Sequence, residues 1–243
     1  MNFIDLGRQG LILATMPILL TISTGLLLPA AACAQSASTQ TKLEELRTML
    51  PAIDEQIKSK PTGELMYLRG SANAALKNYQ AAEADFDAAE AFHYTGHAFE
   101  FNSIRGLTYI VLRKYNQGIS ALSKALALQP NSAGCLINRG SAYLEMGHYR
   151  EALDDCMRSL RFETKWSMPY SIIGACYFKS AQYPYGLQYE NLAIQKDPKN
   201  FDAYHYRGLI YEKLGKADLA AKDAATAAKL GYSPTACFTE SRD

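Results

Sequence analysis

A glycine recurs along most of the chain at a constant spacing. Gly106, Gly140, Gly174 and Gly208 are each 34 residues apart, and Gly70 lies 36 residues before Gly106. Arginine precedes the glycine in four of these five segments, and isoleucine precedes it in the remaining one. A fixed period of about 20 to 50 residues predicts a row of stacked structural units rather than one globular core.

Other positions follow the same period and indicate that each unit is a pair of helices. Tyrosine lies three residues after the glycine in four units, and nine residues after it in four units. These tyrosines are Tyr109, Tyr143, Tyr177 and Tyr211, and then Tyr79, Tyr115, Tyr149 and Tyr183. Small residues such as Gly140 and Ala152 allow two helices to approach closely, and we expect the tyrosines to fill the wider gaps between helices.

This pattern resembles the tetratricopeptide repeat (TPR), which has glycine, tyrosine, small-residue and proline positions at the same period. The resemblance covers residues 63–232. It implies an all-α fold, a right-handed α-solenoid of about five helix–turn–helix units. One hairpin of helices cannot bury its own apolar face, so neighbouring units must stack.

One repeat position departs from the TPR pattern toward the C-terminus. The position that usually holds a large aromatic residue has Phe86 and Leu122 in the first two units, then Cys156, Glu190 and Ala224. We therefore predict that the later units are packed less tightly, or that Glu190 turns outward.

Residues 1–34 have the layout of a bacterial export signal. An apolar stretch runs from Leu11 to Leu28 and is followed by a run of small residues. Three alternatives remain open: cleavage before Gln35, lipidation of Cys33, or an uncleaved membrane anchor. All three predict an exported protein, in the periplasm or anchored to the membrane and facing the periplasm, that contacts the membrane only through this segment.

Short segments flank the predicted solenoid. Residues 35–62 are predicted to form a linker and a capping half-repeat, in which Pro51 separates two short helical pieces. The tail, residues 233–243, is too short for a capping helix. We therefore expect the last face of the solenoid to be exposed or used for assembly, and a homo-oligomer is the corresponding hypothesis.

Charge and motif content argue against several function classes. The chain has 25 Lys and Arg against 24 Asp and Glu, a net charge of +1, so it lacks the basic excess typical of nucleic-acid binding. No catalytic or phosphate-binding motif is present, and we predict neither an enzyme nor a cofactor. His93 and His97 are four residues apart, but Gly96 lies between them, so a helical metal-binding pair is not predicted.

The cysteines leave two alternatives. Cys156 falls in the second helix of one predicted unit and Cys176 in the first helix of the next, and these helices pack together in a solenoid. Export permits a disulfide between them. Buried free thiols are the other interpretation.

The TPR resemblance implies a binding groove along the first helices of the units, at the positions three before and one after the glycine. These positions are Tyr67, Ser71, Ser103, Leu107, Ile137, Ser141, Ser171, Ala175, His205 and Leu209, with Phe178 four residues after its glycine. The Lys, Asn and Arg clamp of TPR proteins that bind acidic chaperone tails is missing, so that partner class is not expected. In the alternative interpretation, several of these residues only pack between units.

These observations predict a non-catalytic scaffold or adaptor that binds a peptide or helix of an envelope protein in the groove. The alternative is a structural subunit that self-associates through the ends of its solenoid.

Overall fold

A computed structural model describes residues 37–163 and 165–231 of the protein. Within these residues the chain forms eleven helices and no strands, which confirms the predicted all-α class. The helices are α1 (Ala37–Ser59), α2 (Gly63–Ala75), α3 (Tyr79–Ala91), α4 (Ala98–Val111), α5 (Tyr115–Leu128), α6 (Ala133–Glu145), α7 (Tyr149–Ser159), α8 (Met168–Lys179), α9 (Tyr183–Lys196), α10 (Phe201–Lys213) and α11 (Ala217–Lys229). The predicted leader with Cys33, Tyr232 and the tail lie outside the described residues.

Helices α2 to α11 form five consecutive helix–turn–helix units. Unit 1 is α2–α3, unit 2 is α4–α5, unit 3 is α6–α7, unit 4 is α8–α9 and unit 5 is α10–α11. The two helices of each unit pack on each other, and the second helix of each unit packs on the first helix of the next. Consecutive first helices also touch. The predicted α-solenoid of five units is therefore confirmed.

Helix α1 packs on α2 in front of the first unit. It is one continuous helix with Pro51 inside it, so the prediction of two short pieces was wrong. Pro51 is exposed, whereas Leu46 and Ile53 on either side of it are buried. Because this apolar face stays in register across the proline, tertiary packing offsets the hydrogen bond that proline cannot make. None of the described helices is both long enough and apolar enough to cross a membrane.

The turn inside each unit has one backbone geometry. The seventh residue after the repeat glycine has a positive φ in all five units. The values are 63° at Lys77, 59° at Arg113, 78° at Gly147, 57° at Ala181 and 71° at Gly215. The next residue donates its N–H to the carbonyl of the residue five positions earlier, as His148 does to Tyr143 at 2.8 Å. This hydrogen bond closes the end of the first helix in the manner of a Schellman motif.

The repeat glycine allows the two helices of a unit to approach closely, but not equally in every unit. A Cβ added to Gly106 would lie 2.6 Å from Leu122 Cγ, closer than atoms can approach. A Cβ added to Gly208 would meet its nearest neighbours at 3.4 Å, an ordinary van der Waals contact. Helix packing is therefore tight in unit 2 and looser in unit 5.

Candidate functional site

An arginine–aspartate ion pair holds the two helices of units 1, 3 and 5 together. In each of these units the arginine before the repeat glycine binds an aspartate 16 residues later, on the second helix. The pairs are Arg69–Asp85 at 2.6 Å, Arg139–Asp155 at 2.7 Å and Arg207–Asp223 at 2.7 Å. All three aspartates are buried, so each pair is charge-compensated away from water.

The same arginines also reach the helix before their own unit. Arg139 donates to Ser123 Oγ at 2.8 Å, and Arg207 donates to Asn191 Oδ1 at 2.8 Å. Arg69 makes the corresponding contact with Asp54 of α1 at 2.7 Å. Each arginine thus joins two consecutive second helices to the first helix between them, and α1 takes the place of a preceding second helix.

The arginine before the repeat glycine of unit 2 has different ion-pair partners. Ala121 lies 16 residues after Arg105, so no aspartate is present at that position. Arg105 instead reaches back to Glu90 of α3 at 2.7 Å and to Asp87 at 3.0 Å. The hydrogen bond from Arg105 holds the pKa of Glu90 below its usual value. Units 1 and 2 are therefore joined by ion pairs across their boundary.

Aromatic side chains fill the inner surface of the N-terminal half. Tyr67 stacks on Tyr94 at 5.2 Å and on His97 at 5.8 Å between ring centroids, and it touches Phe101. Tyr94 and His97 belong to the connection between α3 and α4, which contains the two additional residues of the repeat. Burial raises the pKa of Tyr67 to about 12. This end of the predicted groove is closed by the protein itself.

Eight of the eleven predicted groove residues are buried. They are Tyr67, Ser71, Ser103, Leu107, Ile137, Ser141, Ser171 and Ala175. Because consecutive first helices touch, these positions lie between helices: Ser103 Oγ is 3.3 Å from Cys135 Sγ of the next first helix. Ser171 donates to Glu190 of its own unit at 2.9 Å. For these eight residues the packing interpretation describes the structure, and they do not line an open groove.

The other three, Phe178, His205 and Leu209, are partly exposed and lie in units 4 and 5. Tyr206 joins two of them, because its ring centroid is 6.0 Å from that of Phe178 and 5.1 Å from that of His205. Tyr206 also lines a pocket of about 310 Å³. The pocket is lined by Leu144, Glu145, Met146, Gly147, Tyr149, Lys179 and Tyr206. We call these seven residues together with Phe178 and His205 the C-terminal groove.

The ionisable groups at the C-terminal groove have shifted pKa values. Burial, and to a smaller extent the positive charge of Lys179, lowers the pKa of His205 to about 4. Burial raises the pKa of Asp202 to about 8, with a contribution from the charge of Glu145. Burial also raises the pKa of Glu145. At neutral pH His205 is therefore uncharged, and Glu145 and Lys179 are the ionisable side chains that line the pocket.

Comparison with known families agrees with this architecture. A family model described as tetratricopeptide repeat matches residues 121–154 and 191–222, and a second model of the same description matches residues 50–93. The chain is a tetratricopeptide repeat protein. The matched segments fall in α1 and in units 1, 2, 3, 4 and 5.

Curated relatives are TPR proteins that are longer than the matched region. The chain is 30% identical over 88 residues to small glutamine-rich tetratricopeptide repeat-containing protein 2 of Mycosarcoma maydis, covering 36% of this chain and 25% of the relative. It is 27% identical over 128 residues to DnaJ homolog subfamily C member 7 of Mus musculus, covering 49% of this chain and 25% of that protein. The chain thus spans about a quarter of the length of these relatives.

Solved TPR structures share the fold. A crystal structure of MamA superposes with a TM-score of 0.55 at 22% identity, covering 66% of this chain and 93% of MamA. The crystal structure of YrrB, described as a TPR protein with an unusual peptide-binding site, gives a TM-score of 0.54 at 15% identity, covering 74% of this chain and 92% of YrrB. At these identities the likeness extends to the fold alone.

The cysteines of the TPR units are free thiols. Cys135, Cys156 and Cys176 are all buried, and no disulfide joins Cys156 to Cys176 in the structure. Burial raises the pKa of the Cys176 thiol to about 12, which keeps it protonated. Of the two interpretations of this pair, buried free thiols describe the structure. In residues 37–163 and 165–231 no group of three or more His, Cys, Asp or Glu residues could hold a metal ion.

Sequence reasoning missed most of the C-terminal groove. Glu145 and Lys179 occupy the fifth position after the repeat glycine, and Tyr206 lies two residues before it. The TPR resemblance places no groove residue at those positions. The ion pairs were missed too, although an aspartate 16 residues after the arginine in three units was visible in the sequence.

Proposed function

We propose that this TPR protein is a non-catalytic adaptor that binds an apolar segment of a partner protein in the C-terminal groove. The observation that carries the proposal is the aromatic contact of Phe178, His205 and Tyr206 beside the 310 Å³ pocket. The pocket itself exposes more polar than apolar surface, so we expect an apolar side chain of the ligand to lie against the aromatic rings and a polar group to enter the pocket.

The pocket walls indicate the chemistry of the bound segment. Leu144, Met146, Tyr149 and Tyr206 supply apolar surface, and methionine adapts its shape to different ligands. Glu145 and Lys179 supply one charge of each sign. We therefore expect a peptide or helix with one or two apolar anchors and a polar group beside them. YrrB, which has the same fold, is described as having an unusual peptide-binding site, and this supports a peptide ligand.

The leader pattern supports a partner in the cell envelope. Residues 1–34 have the order of charge, apolar stretch and small residues that export signals share. A protein exported in this way meets its partner in the periplasm or at the membrane surface, so we propose a peptide or helix of an envelope protein as ligand.

The experiment is a selection of peptides from a displayed library on the purified protein, followed by calorimetry on variants. Tyr206→Ala and Phe178→Ala are expected to weaken binding of the selected peptides at least about tenfold, since each removes an aromatic anchor. Tyr185→Ala is the matched control, because Tyr185 is an exposed tyrosine of α9 that is not part of the groove. Unchanged affinity for both groove variants would contradict the proposal.

The last helix gives the self-association alternative less support. At the repeat position where Phe86, Leu122, Cys156 and Glu190 are fully buried, α11 has an exposed Ala224. Leu214 and Leu219 are exposed at this end of the solenoid, but the small side chain of Ala224 adds little to that apolar surface. Light scattering on the purified protein distinguishes the two functions, because the adaptor is expected to be monomeric at micromolar concentration.

A further inference from the structure

Unit 4 contains a buried carboxyl group at a position where other units have apolar side chains. Glu190 of α9 has no exposed surface, and it occupies the repeat position of Phe86 and Leu122. Its Oε2 accepts a hydrogen bond from Ser171 Oγ at 2.9 Å, whereas its Oε1 has no hydrogen-bond partner. A Cβ added to Gly174 would lie 2.5 Å from that Oε1, so the glycine makes room for the carboxyl group.

No cation compensates this carboxyl group. Unit 4 lacks the ion pair of units 1, 3 and 5, because Ile173 and Tyr189 stand where those units have arginine and aspartate. Arg207 of α10 is the cation whose charge acts on Glu190, but its guanidinium is held by Asp223 and by Asn191. Glu190 therefore has no cation of its own to balance a negative charge.

The other titratable groups around Glu190 disfavour its ionisation as well. Asp202 of α10 is a second acid, and a negative charge on either carboxyl group disfavours ionisation of the other. Cys176 of α8 is a buried thiol on the neighbouring helix, and Cys156 of α7 lies next to Cys176. Burial, followed by the nearby Asp202, raises the pKa of Glu190 well above its usual value, despite the hydrogen bond from Ser171.

We propose that Glu190 makes the packing of unit 4 dependent on pH. The unit is held together while Glu190 carries its proton, and it loosens when the buried carboxyl group ionises without a partner. The unfolded chain ionises this residue near its ordinary value of 4.5. The contribution to stability is therefore complete below that pH and is lost as the pH rises through the raised pKa of the folded protein.

The consequence for ligand binding rests on the function proposed above. Helix α8, against which Glu190 packs, carries Phe178 and Lys179 at its end. Loosening of unit 4 would displace these two side chains of the C-terminal groove. A partner is therefore expected to bind more tightly in mildly acidic than in alkaline solution.

The single tryptophan of the chain provides a local probe. Trp166 lies just before α8 and packs on the apolar cluster that contains Ile172, Ile173 and Cys176. Its fluorescence therefore reports the unfolding of units 3 and 4, independently of any partner. For the wild-type protein we expect the urea midpoint to fall by about 1 M between about pH 6.5 and pH 8, a range in which His205 is neutral in the folded chain and mostly neutral in the unfolded chain.

Substitutions of acidic residues then identify the group responsible. Glu190→Gln is expected to make this dependence clearly weaker, because an amide cannot ionise and Asp202 is then the remaining acid with a strongly raised pKa. Glu151→Gln changes an exposed acid on α7 and is the matched control that keeps the wild-type slope. Asp202→Asn removes the second acid with a raised pKa and is expected to leave a clear slope from Glu190. A flat or rising wild-type midpoint, or a Glu190→Gln slope equal to that of the wild type, would overturn the proposal.

Two further measurements keep the test valid if Glu190→Gln does not fold. Glu190→Leu places at this position the same side chain that is buried as Leu122 in unit 2. Its urea midpoint should depend on pH less than that of the wild type, and an unchanged dependence would overturn the proposal. Infrared spectroscopy of the Asp202→Asn protein at neutral pH is expected to show the carbonyl stretch of a protonated carboxylic acid. The absence of that band would overturn the proposal without any substitution at Glu190. Both experiments measure folding or protonation and not ligand binding. A result that overturns the role of Glu190 would therefore not contradict the proposed adaptor function.

Discussion

The two halves of the solenoid have the same repeat but different inner surfaces. In units 1 and 2 the inner positions are closed by Tyr67, Tyr94 and neighbouring aromatic rings, and large residues fill the space between the helices of each unit. In units 4 and 5 Phe178, His205 and Leu209 are partly exposed, although Ser171 and Ala175 are buried. Glu190 and Ala224 replace the large apolar residues there. The repeat therefore determines the backbone, while a few side chains decide which half packs on itself and which half can bind a partner.

Removal of one ion pair in each half should give the largest difference in stability. Asp85→Ala in unit 1 leaves Arg69 and the amide of Asn73 without their buried acceptor, and we expect a loss of about 3 kcal/mol in the free energy of unfolding. Asp223→Ala in unit 5 should cost less, about 2 kcal/mol, because Asp223 accepts from Arg207 alone and Arg207 keeps its hydrogen bond to Asn191. Urea denaturation measures both.

Asp218→Ala on the exposed side of α11 is the control for the loss of a carboxylate alone, and it should cost no more than about 0.5 kcal/mol, the contribution of an acid in the first turn of a helix. Equal losses for the two ion-pair variants would show that the halves do not differ in this respect.

A methyl group added at the repeat glycine should change the stability of the protein in opposite directions in the two halves. Gly106→Ala forces a Cβ to within 2.6 Å of Leu122 and should destabilise the protein by about 2 kcal/mol. Gly208→Ala meets nothing closer than 3.4 Å, so the higher helix propensity of alanine should stabilise it by about 0.5 kcal/mol. Thermal unfolding of the two variants tests this, and a stabilising Gly106→Ala would refute the tight packing of unit 2.

The turns should behave alike in both halves. Lys77 in unit 1 and Ala181 in unit 4 have φ values of 63° and 57°, in the region that glycine adopts at little cost. Lys77→Gly and Ala181→Gly are each expected to stabilise the protein by about 1 kcal/mol. Gly147→Ala, the reverse change at the same turn position, should destabilise it by a similar amount. Calorimetry on the three variants would detect a departure from this symmetry.

The repeat units were predictable from the sequence, and the binding surface largely was not. The period of Gly106 to Gly208 predicts the helical pairs because a small residue is needed wherever two helices cross closely. Pro51 misled the prediction for α1, since burial of Leu46 and Ile53 outweighs a local helix breaker. Whether an inner position is open depends on how far consecutive first helices are apart, and no residue of one unit contains that information.

The smallest expected effect concerns the protonation of His205 at the C-terminal groove. Burial and then the charge of Lys179 depress its pKa to about 4, so nuclear magnetic resonance should show a neutral imidazole down to about pH 5. Lys179→Ala removes the second cause and should raise this pKa by a few tenths of a unit toward the ordinary value of 6.5.

Because the folded pKa is depressed, His205 contributes stability above its unfolded pKa and loses it as the pH falls toward 4. This loss on acidification is opposite in sign to the effect of Glu190, so the C-terminal half should be most stable between the two titrations. A His205 that titrates at its ordinary value would show that units 4 and 5 are more open than the structure indicates.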